Sequence, residues 1–199
     1  DISGVDVDLL EIGTPESLAL PEAEREQLPV CVITARVHPG ESNSSWMMHG
    51  LLQFLCSSAE EAQLLRAQCQ WLVIPMLNPD GVIQGNYRCG LAGMDLNRIY
   101  NSPHEKLHPT IWALKEILRG RKVETFIDLH GHSKKEGVFF YGGRLQGDSE
   151  EAQWKNAHVR LLPKLCCVGS DDFAYQRCMF SVQEAKKTAA RLVAFLELG

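Results

Sequence analysis

No two of the seven cysteines (Cys31, Cys56, Cys69, Cys89, Cys166, Cys167, Cys178) have the C-x-x-C spacing, and their number is odd. Neither a disulfide framework nor a cysteine zinc ribbon is expected, and a reducing compartment, the cytoplasm, fits that usage. No stretch approaches the roughly 20 apolar residues of a membrane span, and the acidic start has no basic segment followed by an apolar run, so no membrane association is expected. Internal repeats and low-complexity tracts are missing too. With 45% apolar and 23% charged residues, the composition excludes a disordered tail, a collagen-like repeat and a coiled coil. Positive charge is not in excess: 20 Lys and Arg stand against 25 Asp and Glu, a formal net charge of −5, which argues against a nucleic-acid partner held through phosphates.

What is present is one domain's worth of chain, 199 residues. Its acidity is uneven. Residues 1–28 carry eight acids and one base, Arg25, so the remainder holds 17 acids and 19 bases and is able to meet an acidic partner. Residues 1–28 read as an acidic strand (5–12) and a loop leading into a domain at 29–199. There, short β-branched runs (29–37, 71–77, 123–130, 138–141) alternate with segments of helical period (44–57, 59–68, 109–119, 187–198). This order predicts an α/β fold with a mixed, largely parallel central sheet between helices. Met47, Leu51, Phe54 and Leu55 are the expected inner face of the first of these helices, Ile111, Leu114 and Leu118 of the third, and Leu192, Val193 and Leu196 of the last. Asp148 or Ser149 is expected to cap a further helix that Pro163 kinks or stops. Residues 78–107 lack periodicity and read as functional loops.

In open α/β sheets ligands gather beyond the carboxyl ends of the strands. After PVCVITARV comes His38-Pro39-Gly40-Glu41, a turn that aims an imidazole and a carboxylate at one point, and after VETFIDL comes His130. A His, Glu, His set leaves a tetrahedral zinc one open position, the arrangement of hydrolytic zinc. His132 competes with His130, since residues two apart on a strand point the same way; His130 is preferred because it ends the apolar run. The loops add Arg88, Asp95, Asn97 and Arg98. An arginine fork suits a carboxylate or a developing oxyanion. Asp95 either orients a ligand imidazole or pairs with Arg98, and both readings stand on pattern alone.

ARVHPGES, PMLNPDGVIQGNYRCGLAGMDLNR and DLHGHSKK together resemble the zinc carboxypeptidases, in particular the cytosolic subfamily that deglutamylates tubulin tails. The resemblance runs from about residue 30 to 198. It implies a three-layer α/β/α fold, one zinc per chain on His38, Glu41 and His130, and Asp95 as the partner of the first histidine. Arg88 is implied as the oxyanion contact, Asn97 and Arg98 as holders of the substrate's terminal carboxylate, and glutamate-rich tails such as polyglutamylated tubulin as substrates. Arg191, in a stretch similar to the subfamily's Thr-Ala-Arg, is the expected pocket residue for an acidic side chain.

The family's general-base glutamate belongs to a Tyr-Thr-Met-Glu-like segment beyond the last helix, which has no match up to Gly199. The catalytic domain is therefore expected to be incomplete at its C-terminus and inactive alone; Glu184 and Glu197 are expected on helix surfaces and take no catalytic role. A fragment of a longer protein and an inactive relative both fit. Two other functions remain open: an amino-acid acylase, which shares the H-x-x-E and Asp-Leu-Asn-Arg elements, and a non-catalytic module binding zinc or acidic tails.

Overall fold

The computed structural model describes residues 1–181 and 183–197. Four strands form one sheet in the order β1-β3-β2-β4, with β1 Leu10–Ile12, β2 Val30–Ala35, β3 Gln70–Ile74 and β4 Val123–Leu129. β2 runs parallel to both β3 and β4, while β1 is antiparallel to β3. The helices are α1 Pro15–Leu18, α2 Glu22–Arg25, α3 Ser42–Leu55, α4 Glu60–Gln68, α5 Pro79–Ile83, α6 Pro109–Leu118, α7 Glu150–Gly169 and α8 Ala190–Glu197.

Every residue of β2 and β3 is buried, as expected of strands covered on both faces. The two-residue strand period splits them between two cores. Cys31, Ile33, Ala35, Trp71 and Val73 pack under α3 with Met48 and Leu55. Val30, Val32, Leu72 and Ile74 pack on the other side with Ile111, Leu114 and Leu118 of α6 and Val193 of α8. Full burial of each of the three α6 residues contributes about 1.5–3 kcal/mol. The result is the mixed, largely parallel α/β/α sandwich the pattern predicts.

Several local expectations are corrected. Residues 5–9 do not join a ladder, and only 10–12 form β1; still, Val7 and Leu9 pack on the core, and Ser3 N–H donates to Asp80 Oδ2 at 2.9 Å, so the acidic segment is part of the fold. In α3 the inner stripe is Met48, Leu51, Leu52 and Leu55, while Met47 and Phe54 face outward. Ser44 sets that register: it is fully buried, and its hydroxyl donates to Glu41 O while accepting from Arg36 N–H. Residues 138–141 form two isolated parallel bridges, Val138 with Phe173 and Tyr141 with Met179, instead of a sheet strand. Their backbone pairs with the 172–179 loop.

Ser149 caps α7 by accepting from Ala152 N–H, and the helix runs on through Pro163 to Gly169. In α8, Leu192 and Val193 are buried as expected, together with Ala190 and Ala194, whereas Leu196 is exposed; Glu197 pairs with Lys115 at 2.8 Å. Leu198, placed in that helix by sequence, lies outside the described residues. Among the described residues no helix is long and apolar enough to cross a membrane.

Candidate metal centre

The register of β2 with β4, Ala35 opposite Leu129, brings the carboxyl ends of two parallel strands side by side. His38 follows one and His130 the other. Between β2 and α3 the chain reverses at Arg36, a non-glycine residue at φ 57°, in the left-handed region. Arg36 is fastened from both directions: its Nε donates to Pro39 O at 2.8 Å and an Nη to Ser45 Oγ at 2.8 Å. Gly40 N–H donates to Tyr87 O at 2.8 Å, and a Cβ at Gly40 would sit 2.8 Å from that same oxygen. Only glycine lets the Tyr87 loop approach. Asn78, fully buried, donates to Val37 O and accepts from Gly81 N–H, so the NPDG stretch builds the start of α5 and steadies the backbone beside His38.

These supports aim three donor groups at one point. His38 Nδ1 lies 2.7 Å from Glu41 Oε1, and His130 Nδ1 lies 3.0 Å from Glu41 Oε2. The three ligand atoms fall within 4.8 Å of one another. Tetrahedral zinc with bonds of about 2.0–2.1 Å needs donors about 3.4 Å apart, so the set suits the ion once its widest pair draws in by up to about 1.4 Å. The opposite nitrogen of each ring is held as well: His38 Nε2 is 3.1 Å from Asp95 Oδ1, and His130 Nε2 is 2.6 Å from Asp128 Oδ2. His38 is 4% exposed and His130 29%, which leaves an approach on the His130 side.

Burial alone would lower both imidazoles and raise both carboxylates; the hydrogen bonds overcome it. Asp95 and Glu41 raise His38 above its ordinary value. Asp128, then Glu41, raise His130 to about 10. Glu41 is held well below the carboxylate range by His130, His38 and the Gly131 N–H, and Asp95 by His38 and Arg88. In the metal-free protein the raised imidazoles contribute stability in full below about 6.5, and it is lost as pH climbs through the folded values, near 10 for His130. The lowered carboxylates act the other way: their contribution is present above about pH 4 and is lost as pH falls through the folded values. A carboxylate only accepts, so each Nδ1 facing Glu41 carries a proton until a metal replaces it. Zinc loading at pH 6 is therefore expected to release about two protons. Calorimetry in buffers of different ionisation enthalpy measures this, and release near zero would exclude the two imidazoles as ligands.

The loop residues gather around this centre. Arg88 Nε donates to Asp95 Oδ2 at 2.7 Å, so Asp95 is held by Arg88 while it orients His38, in place of the alternative pairing with Arg98. Asn97 Oδ1 accepts from Ala190 N–H at 2.9 Å, and its Nδ2 lies 3.3 Å from His130 Nε2. Arg98 donates to Asn97 O at 2.6 Å. Arg191 lies 5.3 Å from the centre of the Tyr141 ring; burial lowers its guanidinium, Tyr141 opposes this and the charge of Arg98 adds to it. His132 is exposed and accepts from Lys134 and Lys135 N–H, so His130 alone of the two turns to Glu41. Glu184 pairs with Lys187 on the surface. Asp128 and Thr34, which donates to Asp128 at 2.7 Å, are the site residues that reading the sequence missed. The two-residue strand period that makes His132 a competitor also puts Asp128 beside His130.

Comparisons with known proteins agree with this centre. The zinc carboxypeptidase family model matches residues 2–159. Cytosolic carboxypeptidase 1 of Danio rerio is 40% identical over 205 residues, covering 91% of this chain and 17% of the relative. Cytosolic carboxypeptidase 4 of Mus musculus is 43% identical over 199 residues, covering 93% and 18%. A solved metallo-carboxypeptidase from Burkholderia cenocepacia superimposes with a TM-score of 0.76 at 27% identity, over 94% of this chain and 48% of that one. The chain thus spans less than a fifth of the length of these two curated relatives. Its sequence, its fold and its His, Glu, His cluster together establish that the chain belongs to the zinc carboxypeptidase family.

Proposed function

We propose that residues 29–199 form part of the catalytic domain of a zinc metallocarboxypeptidase that removes C-terminal glutamates from acidic protein tails, with polyglutamylated tubulin as the candidate substrate. The convergence of His38 Nδ1, Glu41 and His130 Nδ1, each imidazole backed by its own carboxylate, carries the proposal. When bound, zinc supplies Lewis acidity toward a water and the scissile carbonyl. His38, Glu41 and His130 hold it, and Asp95 fixes the His38 ring for that task.

Arg88, tethered through Nε to Asp95, presents its guanidinium to the oxygen that gains charge as the carbonyl is attacked. Asn97 and Arg98 hold the terminal carboxylate, for which the arginine fork is suited. Arg191 faces an acidic substrate side chain; its partial burial beside Arg98 strengthens an ionic contact there. A cytosolic location accompanies the reading, supported by the names of the relatives.

The test uses the full-length protein. Free glutamate should appear from a poly-glutamate peptide, while an N-acyl amino acid is left intact. Deacylation without glutamate release would favour the acylase. Binding of acidic peptides with neither product would favour a non-catalytic module.

A further inference from the structure

We infer that Asp128 is a positioning residue: it holds His130 with its proton on Nε2, which leaves Nδ1 to face the metal. The inference rests on the zinc reading above. Asp128 breaks the pattern of its own strand. In VETFIDL on β4 it stands among apolar residues with its side chain 7% exposed, a place where a carboxylate is costly unless fully partnered. Two partners meet it. Thr34, fully buried and directly opposite in the β2–β4 register, donates its hydroxyl to Oδ1 at 2.7 Å. Oδ2 lies 2.6 Å from His130 Nε2.

The proton's place follows from what each neighbour is able to do. Nε2 has a second neighbour, Asn97 Nδ2, at 3.3 Å. Because Asn97 Oδ1 accepts from Ala190 N–H, the group it turns to His130 is its NH2, a donor. A donor at 3.3 Å asks for a bare Nε2, whereas a carboxylate at 2.6 Å asks for Nε2–H. The shorter, charge-assisted contact decides: Nε2 carries a proton, and it keeps that proton when a metal displaces the one on Nδ1. Nδ1, 3.0 Å from Glu41, is then the nitrogen that ligates. Asp128 thus does for His130 what Asp95 does for His38, and Thr34 fixes Asp128 as Arg88 fixes Asp95.

The same geometry makes an unusual ranking of variants. In Asp128→Asn, Thr34 still donates to the amide oxygen, so the NH2 is turned to His130. Two donors then face Nε2 and drive the proton to Nδ1, the tautomer that blocks the metal. Asp128→Ala removes the acceptor and leaves one donor, Asn97 Nδ2 at 3.3 Å, facing Nε2, a weaker push on the proton than the two donors of Asp128→Asn. Zinc affinity of the full chain, measured by competition with a chromophoric chelator, is expected to fall about 10–100-fold in Asp128→Ala and further in Asp128→Asn. The double variant Asp128→Asn/Thr34→Val lets the amide turn its oxygen to His130 and is expected to recover part of the loss. A packing role would give the reverse order, with the isosteric Asn close to the parent protein and Ala worse, and that order overturns the inference.

If Asp128→Asn does not fold by circular dichroism, Thr34→Val alone is expected to weaken zinc several-fold; unchanged affinity overturns the inference. His130→Ala separates the two claims. Zinc lost in His130→Ala but kept in Asp128→Asn leaves the metal centre standing and removes the role of Asp128. Zinc kept in His130→Ala removes both.

Discussion

Replacing His38 with alanine is expected to abolish stoichiometric zinc binding while leaving the fold intact. His38 supplies one of three protein ligands, and a share of a zinc-binding free energy of about 10–16 kcal/mol comes to about 3 kcal/mol or more, at least two orders of magnitude in affinity. The fold should survive because His38 lies beyond the end of β2, outside both buried clusters. The truncation also frees two carboxylates: Asp95 keeps Arg88 and the Asn97 N–H, and Glu41 keeps His130 and the Gly131 N–H. Those remaining partners limit the cost of leaving them without the imidazole. Metal analysis together with far-UV circular dichroism checks both halves. A variant that unfolds, or one that retains a full equivalent of zinc, goes against the assignment.

Arg88→Ala separates catalysis from metal binding. Its guanidinium is 40% exposed and is tethered to the centre through a single Nε contact with Asp95. Zinc affinity is expected to fall less than about tenfold, since Asp95 still holds His38 directly. In the full-length protein, kcat on a poly-glutamate peptide should fall about 10²–10³-fold, the usual effect of removing an oxyanion donor, with KM little changed. A rise in KM at constant kcat would move Arg88 to substrate binding and leave the oxyanion role empty.

The residues explain how far the sequence was legible. His38, Glu41 and His130 stand out because each directly follows a short apolar strand or the turn beyond it, where chain geometry alone sends side chains to one edge of the sheet. Asp128 stayed hidden inside its strand: Phe126, Ile127 and Leu129 mark the element and draw attention away from the carboxylate between them. The partner of Asp95 was not readable either. Arg88 and Arg98 lie seven and three residues away in aperiodic loop, and only the folded path selects Arg88.

Leu51 and Leu55 of the expected α3 face pack inward, whereas Met47 and Phe54 failed for another reason. Trp46, Met47, Met48, Leu51, Leu52, Phe54 and Leu55 spread apolar character around most of the helix, and the choice was made by a polar residue, Ser44, buried beneath Arg36. Residues 138–141 have strand-type side chains, but propensity does not name a partner, and their backbone paired with the 172–179 loop.

The central claim is that two imidazoles and one carboxylate, and none of the seven cysteines, hold the metal. X-ray absorption at the zinc edge on the loaded chain tests it most directly. The expected signal is a shell of nitrogen and oxygen scatterers at about 2.0–2.1 Å with the outer-shell pattern of two imidazoles, lost in His38→Ala. Sulfur at about 2.3 Å would contradict it and place the zinc on cysteine.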